Sequence, residues 1–171
     1  SQMAQEGLGD WTEDRCQEFI DEYYALRPEL GTWQEAVKKE ARQQGYVRDL
    51  FGRIRYIPEL LCPIKRYQGA GERQAINMPV QSTAQGILKL ATGRLWKKLE
   101  GWPPGMVNWL LQIHDELLWE VEAKGEVLDT FTQVAVKEME AVVKLSVPVI
   151  AECKVGDNWG EMKPFTVLRR A

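Results

Sequence analysis

Residues 110–122 read LLQIHDELLWEVE and set the only histidine, His114, beside two consecutive carboxylates, Asp115 and Glu116. Strand-forming side chains precede them (Val107, Trp109, Leu110, Leu111, Ile113), and Leu117 to Val121 resumes the pattern. The segment therefore predicts a β-hairpin with His114-Asp115-Glu116 at its bend. Charged groups seldom sit between two hydrophobic strands unless they pair or hold a metal. An aspartate on a rigid element offers the hard oxygen ligands that divalent cations take. The plainer reading is a solvated acidic turn, since Asp favours turns for its own backbone reasons. Taken alone, the segment leaves both readings open.

Two further groups could do chemistry. In residues 72–90, ERQAINMPVQSTAQGILKL, the amides Asn77 and Gln81 stand four residues apart, on one face if the helix is continuous there. Such amides can donate to the acceptors that every base pair shows in the minor groove, sensing pair geometry without reading sequence. Helix capping around Pro79 is the structural alternative. Arg48, Arg53, Arg55, Lys65 and Arg66 form the second group, and arginine at this density suits phosphate contacts. Tyr67 and Trp33 read as packing residues.

These groups need elements to position them, and 171 residues with 44% hydrophobic and 27% charged side chains suit one globular domain of ordinary composition. No apolar run approaches the roughly 20 residues of a membrane span, so no membrane association is expected. The three scattered cysteines (Cys16, Cys62, Cys153) lack metal-type spacing and fit a reducing interior. Net charge is −3, but it is unevenly spread: Lys38 to Arg73 carries nine bases against four acids, and Asp115 to Glu140 eight acids against two lysines. A basic stretch beside an acidic one fits a protein that tracks phosphates with one surface and holds cations with another. Two solvated faces of opposite sign would look the same.

Thr12, Glu13 and Asp14 mark a helix start, followed by Cys16, Phe19, Ile20, Tyr23 and Leu26 at helical spacing until Pro28. Leu30 to Gln44 predicts a second helix, with Trp33 and Val37 inward, Lys38, Lys39 and Arg42 outward, and Gly45 as its cap. Tyr46–Leu50 and Arg53–Ile57 predict a small hairpin about Phe51-Gly52. Residues 66–71 read as a polar loop, and 72–99 as a long helix kinked or interrupted near Pro79. The cluster Gly101, Pro103, Pro104, Gly105 separates that helix from the central hairpin. Residues 125–144 predict another helix and 147–155 a final strand. The order implies an α+β fold, antiparallel strands backed on one face by helices.

Four ordered blocks carry a resemblance: GYVRDLFGRIRYIPEL (45–60), ERQAINMPVQSTAQGILKL (72–90), LLQIHDELLWEVE (110–122) and VGDNWGEMK (155–163). Together they closely resemble the carboxy-terminal portion of family A DNA polymerases, the DNA polymerase I type, over nearly the whole chain. The resemblance implies one domain over residues 1–171, part of a palm with part of the fingers attached. It implies template-directed, Mg²⁺-dependent DNA synthesis in replication or repair. Asp115 would be one of two metal-bridging aspartates, Glu116 a secondary carboxylate of the same site, and His114 a contact of the primer terminus. Asn77 and Gln81 would touch the primer–template minor groove, with Arg73 beside them, and Arg53 matches the family's GRxR pattern.

The family's DYSxxELR-like stretch with its first aspartate, and its Rx₃Kx₆YG-type nucleotide-gripping helix, are not found in these 171 residues. The catalytic half that carries them is therefore expected as a partner, in cis or as a separate chain, alongside primer–template DNA and deoxynucleoside triphosphates. The chain is expected to be inactive alone, and to work in the interior of a bacterial or phage-infected cell. A non-catalytic duplex-binding module and one subunit of a split polymerase remain alternatives. One local departure stands out: where the family usually shows PVQGTAAD, residues 79–86 read PVQSTAQG. The usual glycine is Ser82 and the usual aspartate is Gly86, which costs up to about 1 kcal/mol of helix stability.

Overall fold

A computed structural model describes residues 12–123 and 126–167. Among the described residues it is an α+β chain with four α-helices and three antiparallel pairs of strands. Its backbone separates into two compact units, residues 1–80 and 81–171, with the boundary inside the longest helix.

In the first unit, Thr12 caps helix α1 (Glu13–Ala25), its Oγ1 accepting from the Arg15 N–H at 3.3 Å. Helix α2 (Pro28–Gln44) starts two residues before the expected point, because proline fits the first turn, where its missing N–H costs nothing. Gly45 closes it in the left-handed region, φ 76°. Val37 packs on the core as predicted, whereas Trp33 is exposed. Strands β1 (Tyr46–Arg48) and β2 (Ile54–Tyr56) pair with Val47 opposite Arg55. They are shorter than expected, and the connection runs over 49–53 rather than a two-residue turn. A 3₁₀ turn, Pro58–Leu61, follows. The core of this unit is Ala41, Val47, Ile57, Leu60, Ala75 and Met78.

The third helix, α3 (Lys65–Leu99), corrects two expectations. Residues 66–71 are helical rather than a loop, and the helix runs unbroken through Pro79. Packing decides the first: a Cβ on Gly71 would lie 3.1 Å from the Leu60 side chain, so the polar stretch is held as helix against the 3₁₀ turn.

The second unit holds the rest of α3 and strands β3 (Val107–Ile113) and β4 (Glu116–Val121), with helix α4 (Val127–Glu140) after them. Helix α4 is shorter than the predicted 125–144; residues 124 and 125 fall outside the described set. Trp119 lies across the hairpin from Trp109 (6.2 Å between rings) and 5.3 Å from Phe131 of α4, while Trp102 also meets Phe131, edge-on at 6.5 Å. Arg94 of α3 donates to the carbonyl of Ala141 at the end of α4, a cation placed where helix carbonyls lack partners. Strands β5 (Lys154–Val155) and β6 (Lys163–Pro164) form a third pair.

The predicted strand 147–155 shrinks to two residues. Glu140 Oε1 accepts from the Ala151 N–H at 3.1 Å, drawing that backbone group away from a sheet ladder. The strands also do not join into one helix-backed sheet; among the described residues each pair stands as its own two-stranded ribbon.

Candidate active-site turn and nucleic-acid-facing residues

The central hairpin forms as predicted, except that Glu116 belongs to β4 and not to the bend. Ile113 pairs with Glu116, so His114 and Asp115 are the two connecting residues. A two-residue connection needs positive φ in the loop, and His114 supplies it, φ 49°. Histidine tolerates this region better than branched residues do. A bulge between Trp109 and Leu111 leaves Leu110 unpaired and turns the strand. His114, Asp115 and Glu116 are all exposed. Among the described residues neither carboxylate has an ion-pair or hydrogen-bond partner, so their oxygens are available to an outside ligand. Two adjacent carboxylates are the hard donors a divalent cation takes. No cluster of three or more His, Cys, Asp or Glu side chains forms among the described residues, so further ligands to such an ion would come from outside them.

The turn is anchored from α3. The Gln85 side chain donates from Nε2 to the His114 carbonyl at 2.8 Å and accepts at Oε1 from Gln112 Nε2 at 3.0 Å. Gln81, one helical turn before Gln85, is exposed on the same helix. Two sequence blocks about thirty residues apart, one holding Gln81 and the other His114 and Asp115, are thereby brought together in the second unit. Sequence reasoning passed over Gln85; its signal was a long amide where the resembled pattern has alanine.

In the first unit, Arg73 and Asn77 lie four residues apart on α3, and both are exposed. Continuity of α3 through Pro79 makes the Asn77–Gln81 spacing a helical one and removes the capping alternative at that proline.

Arg53 is not simply free. Its Nε lies 3.8 Å from Asp49 Oδ2, and its guanidinium sits 5.7 Å from the centre of the Phe51 ring. Asp49, missed from sequence, shapes the whole connection: Oδ1 accepts from the Phe51 and Arg53 N–H groups, each at 2.9 Å. The Arg53 side chain keeps 41% of its surface exposed, enough to reach an anion. Arg55 is tied down differently, donating to Gln74, which donates on to Glu59. Arg42 pairs with Glu72. Among the described residues no helix is long and apolar enough to cross a membrane.

Known proteins place the chain in a family. The sequence profile of DNA polymerase family A matches residues 2–161. The thermostable DNA polymerase I of Thermus aquaticus is 40% identical over 146 residues, covering 85% of this chain and 17% of that protein. DNA polymerase I of Caldicellulosiruptor bescii is 38% identical over 147 residues, with 85% and 17% covered. Among solved structures, the POL domain of Pol1 from M. smegmatis, in complex with a DNA primer-template and dNTP, superposes with a TM-score of 0.74 at 32% identity, covering 85% of this chain and 25% of that one. The chain thus spans about a sixth of the curated relatives' length. Profile, sequence identity and structural likeness agree: the chain belongs to DNA polymerase family A.

Proposed function

We propose that this chain is the carboxy-terminal part of a DNA-directed DNA polymerase, contributing half of its palm and part of its fingers to template-directed synthesis. The observation that carries this reading is the exposed Asp115-Glu116 turn, whose carboxylates have no partner among the described residues, in a family A chain. Asp115 would hold Mg²⁺, Glu116 would lend a second carboxylate, and His114 would face the primer end. When bound, paired divalent ions activate the attacking hydroxyl and stabilise the leaving phosphate oxygens. Asn77, Gln81 and Arg73 would line the minor-groove side of the duplex, and Arg53 would contact a phosphate. A duplex presented by such contacts is held in register without sequence preference.

The ribbon of β3 and β4 supports a larger catalytic body. Two-stranded ribbons are marginal on their own, and this one exposes Trp109, Leu110 and Leu111. Open backbone edges with apolar neighbours fit pairing with a further strand, supplied in cis or by another chain. Such a strand would also bring the second metal-holding aspartate, since one cannot organise two ions about 3.5–4 Å apart. On this reading the 171 residues by themselves extend no primer. The work belongs in the cytoplasm, where DNA and deoxynucleoside triphosphates meet.

The test is primer extension by a chimera in which this chain replaces the matching segment of the Thermus aquaticus enzyme. The chimera is expected to extend a primer with Mg²⁺, and Asp115→Ala to reduce the rate by more than the about 10–100-fold that losing an outer partner of a metal ligand costs. Templated synthesis by the isolated chain, or full activity of the Asp115→Ala chimera, would overturn the proposal. Unchanged duplex binding with no catalytic effect of Asp115 would instead favour a binding module.

A further inference from the structure

We infer that Gln85 is a positioning residue for Asp115, acting through the His114 carbonyl; the inference rests on the polymerase reading of Asp115 given above. A backbone carbonyl can only accept, so the 2.8 Å contact fixes which end of the Gln85 amide faces the turn. Nε2 is committed to His114, which leaves Oε1 to accept from Gln112 Nε2 at 3.0 Å. Gln112 is itself fixed in β3 opposite Leu117. The result is a directed relay from strand to helix to turn, with each amide's orientation set by the next.

The carbonyl it ends on belongs to the peptide unit that carries the Asp115 N–H. Holding that oxygen fixes the peptide plane and, with it, the direction in which the Asp115 side chain leaves the backbone. The turn needs such a hold. His114 is left-handed at φ 49°, the only non-glycine residue with positive φ among those described, and both loop residues are exposed, so little packing restrains them. Outer partners of this type tune metal affinity or activity by about 10–100-fold. Gln85 stands where the family pattern quoted above has alanine.

The test pairs Gln85→Ala with Gln85→Glu. The glutamate keeps the volume and the acceptor facing Gln112, but cannot donate to the His114 carbonyl when ionised. In the 171-residue chain, the ¹⁵N order parameter of the Asp115 amide is expected to fall from the rigid range near 0.85 to below about 0.6 in both variants. Trp119, deep in the hairpin, should stay rigid and serves as the control for folding. In the extending chimera, both variants should lower kcat about 10-fold or more and raise the Mg²⁺ midpoint several-fold, with the nucleotide KM within about twofold. Loss of rigidity at Trp119 with an unchanged Mg²⁺ midpoint would show a structural role only and overturn the inference. So would Gln85→Glu with wild-type order at Asp115. Should Asp115→Ala leave extension intact, the metal reading of Asp115 falls, while the order parameters still decide whether Gln85 holds the turn.

Discussion

Asp49 offers the sharpest stability prediction, because its partners separate a structural role from a functional one. Its side chain is fully buried, and Oδ1 accepts two backbone N–H bonds at 2.9 Å while Oδ2 faces Arg53 at 3.8 Å. Hydrogen bonds to a charged group contribute about 1.5–3 kcal/mol each. Replacing Asp49 by alanine removes both and leaves two loop N–H groups without their acceptor. At the low end of that range the loss is about 3 kcal/mol. Asp49→Asn keeps one acceptor oxygen and should cost about 1 kcal/mol, the worth of the lost charge assistance. The Arg53 contact is long and its guanidinium exposed, so Arg53→Ala should cost less than about 1 kcal/mol.

Urea unfolding of the purified chain, followed by circular dichroism, measures all three. With a slope of about 2 kcal/mol per M, Asp49→Ala should lower the midpoint by about 1.5 M. A shift for Asp49→Ala no larger than that for Arg53→Ala would refute the reasoning. It would mean that the ion pair, not the two backbone bonds, holds the connection between β1 and β2.

Four other outcomes are expected. Arg53→Ala in the extending chimera should weaken duplex binding and reduce its log–log salt slope by about 1, as loss of one phosphate contact does; an unchanged slope would remove Arg53 from the interface. Leu95→Ala, which truncates a fully buried side chain of the second unit, should cost about 2–5 kcal/mol by urea unfolding. Gly156→Ala should be destabilising by thermal melting, since its Cβ would meet the Glu161 carbonyl oxygen and Met162 Cα, each at 2.9 Å, within backbone that cannot move aside as a side chain can. Burial pushes the Cys153 thiol above the usual range, so alkylation by iodoacetamide near neutral pH should be slower than for a free thiol. The folded state then holds that proton more tightly than the unfolded chain. Its contribution is complete below the unfolded thiol's pKa and is lost as pH rises through the higher folded value, which a Cys153→Ser comparison at alkaline pH would show.

Features set by neighbouring residues were legible in the sequence. Thr12 and Gly45 cap their helices as expected, because capping depends on a few adjacent backbone groups. The His114-Asp115 hairpin was legible for the same reason: alternating strand formers on either side of a short polar bend. Long-range competition was not. Residues 66–71 looked like a loop until Gly71 let the 3₁₀ turn pack on them. Residues 147–153 are apolar enough for a strand, yet Glu140 and the chain's pairings leave only Lys154–Val155 in a ladder. The single helix-backed sheet gave way to three ribbons, since local periodicity says which residues extend and not which strands meet. For the candidate site, the block pattern picked out Asp115, Glu116, His114, Asn77, Gln81, Arg73 and Arg53. It overlooked Gln85 and Asp49, whose side chains hold backbone groups that local sequence does not reveal.

The measurement closest to the central claim is a crystal structure of the chimera with primer–template, a non-hydrolysable deoxynucleotide and Mn²⁺, read by anomalous scattering. A metal peak at coordination distance from an Asp115 carboxylate oxygen, roughly 2.0–2.6 Å as hard divalent cations show, is the expected result. A fully assembled complex whose metal peaks sit only on other ligands, with Asp115 facing solvent, would contradict it.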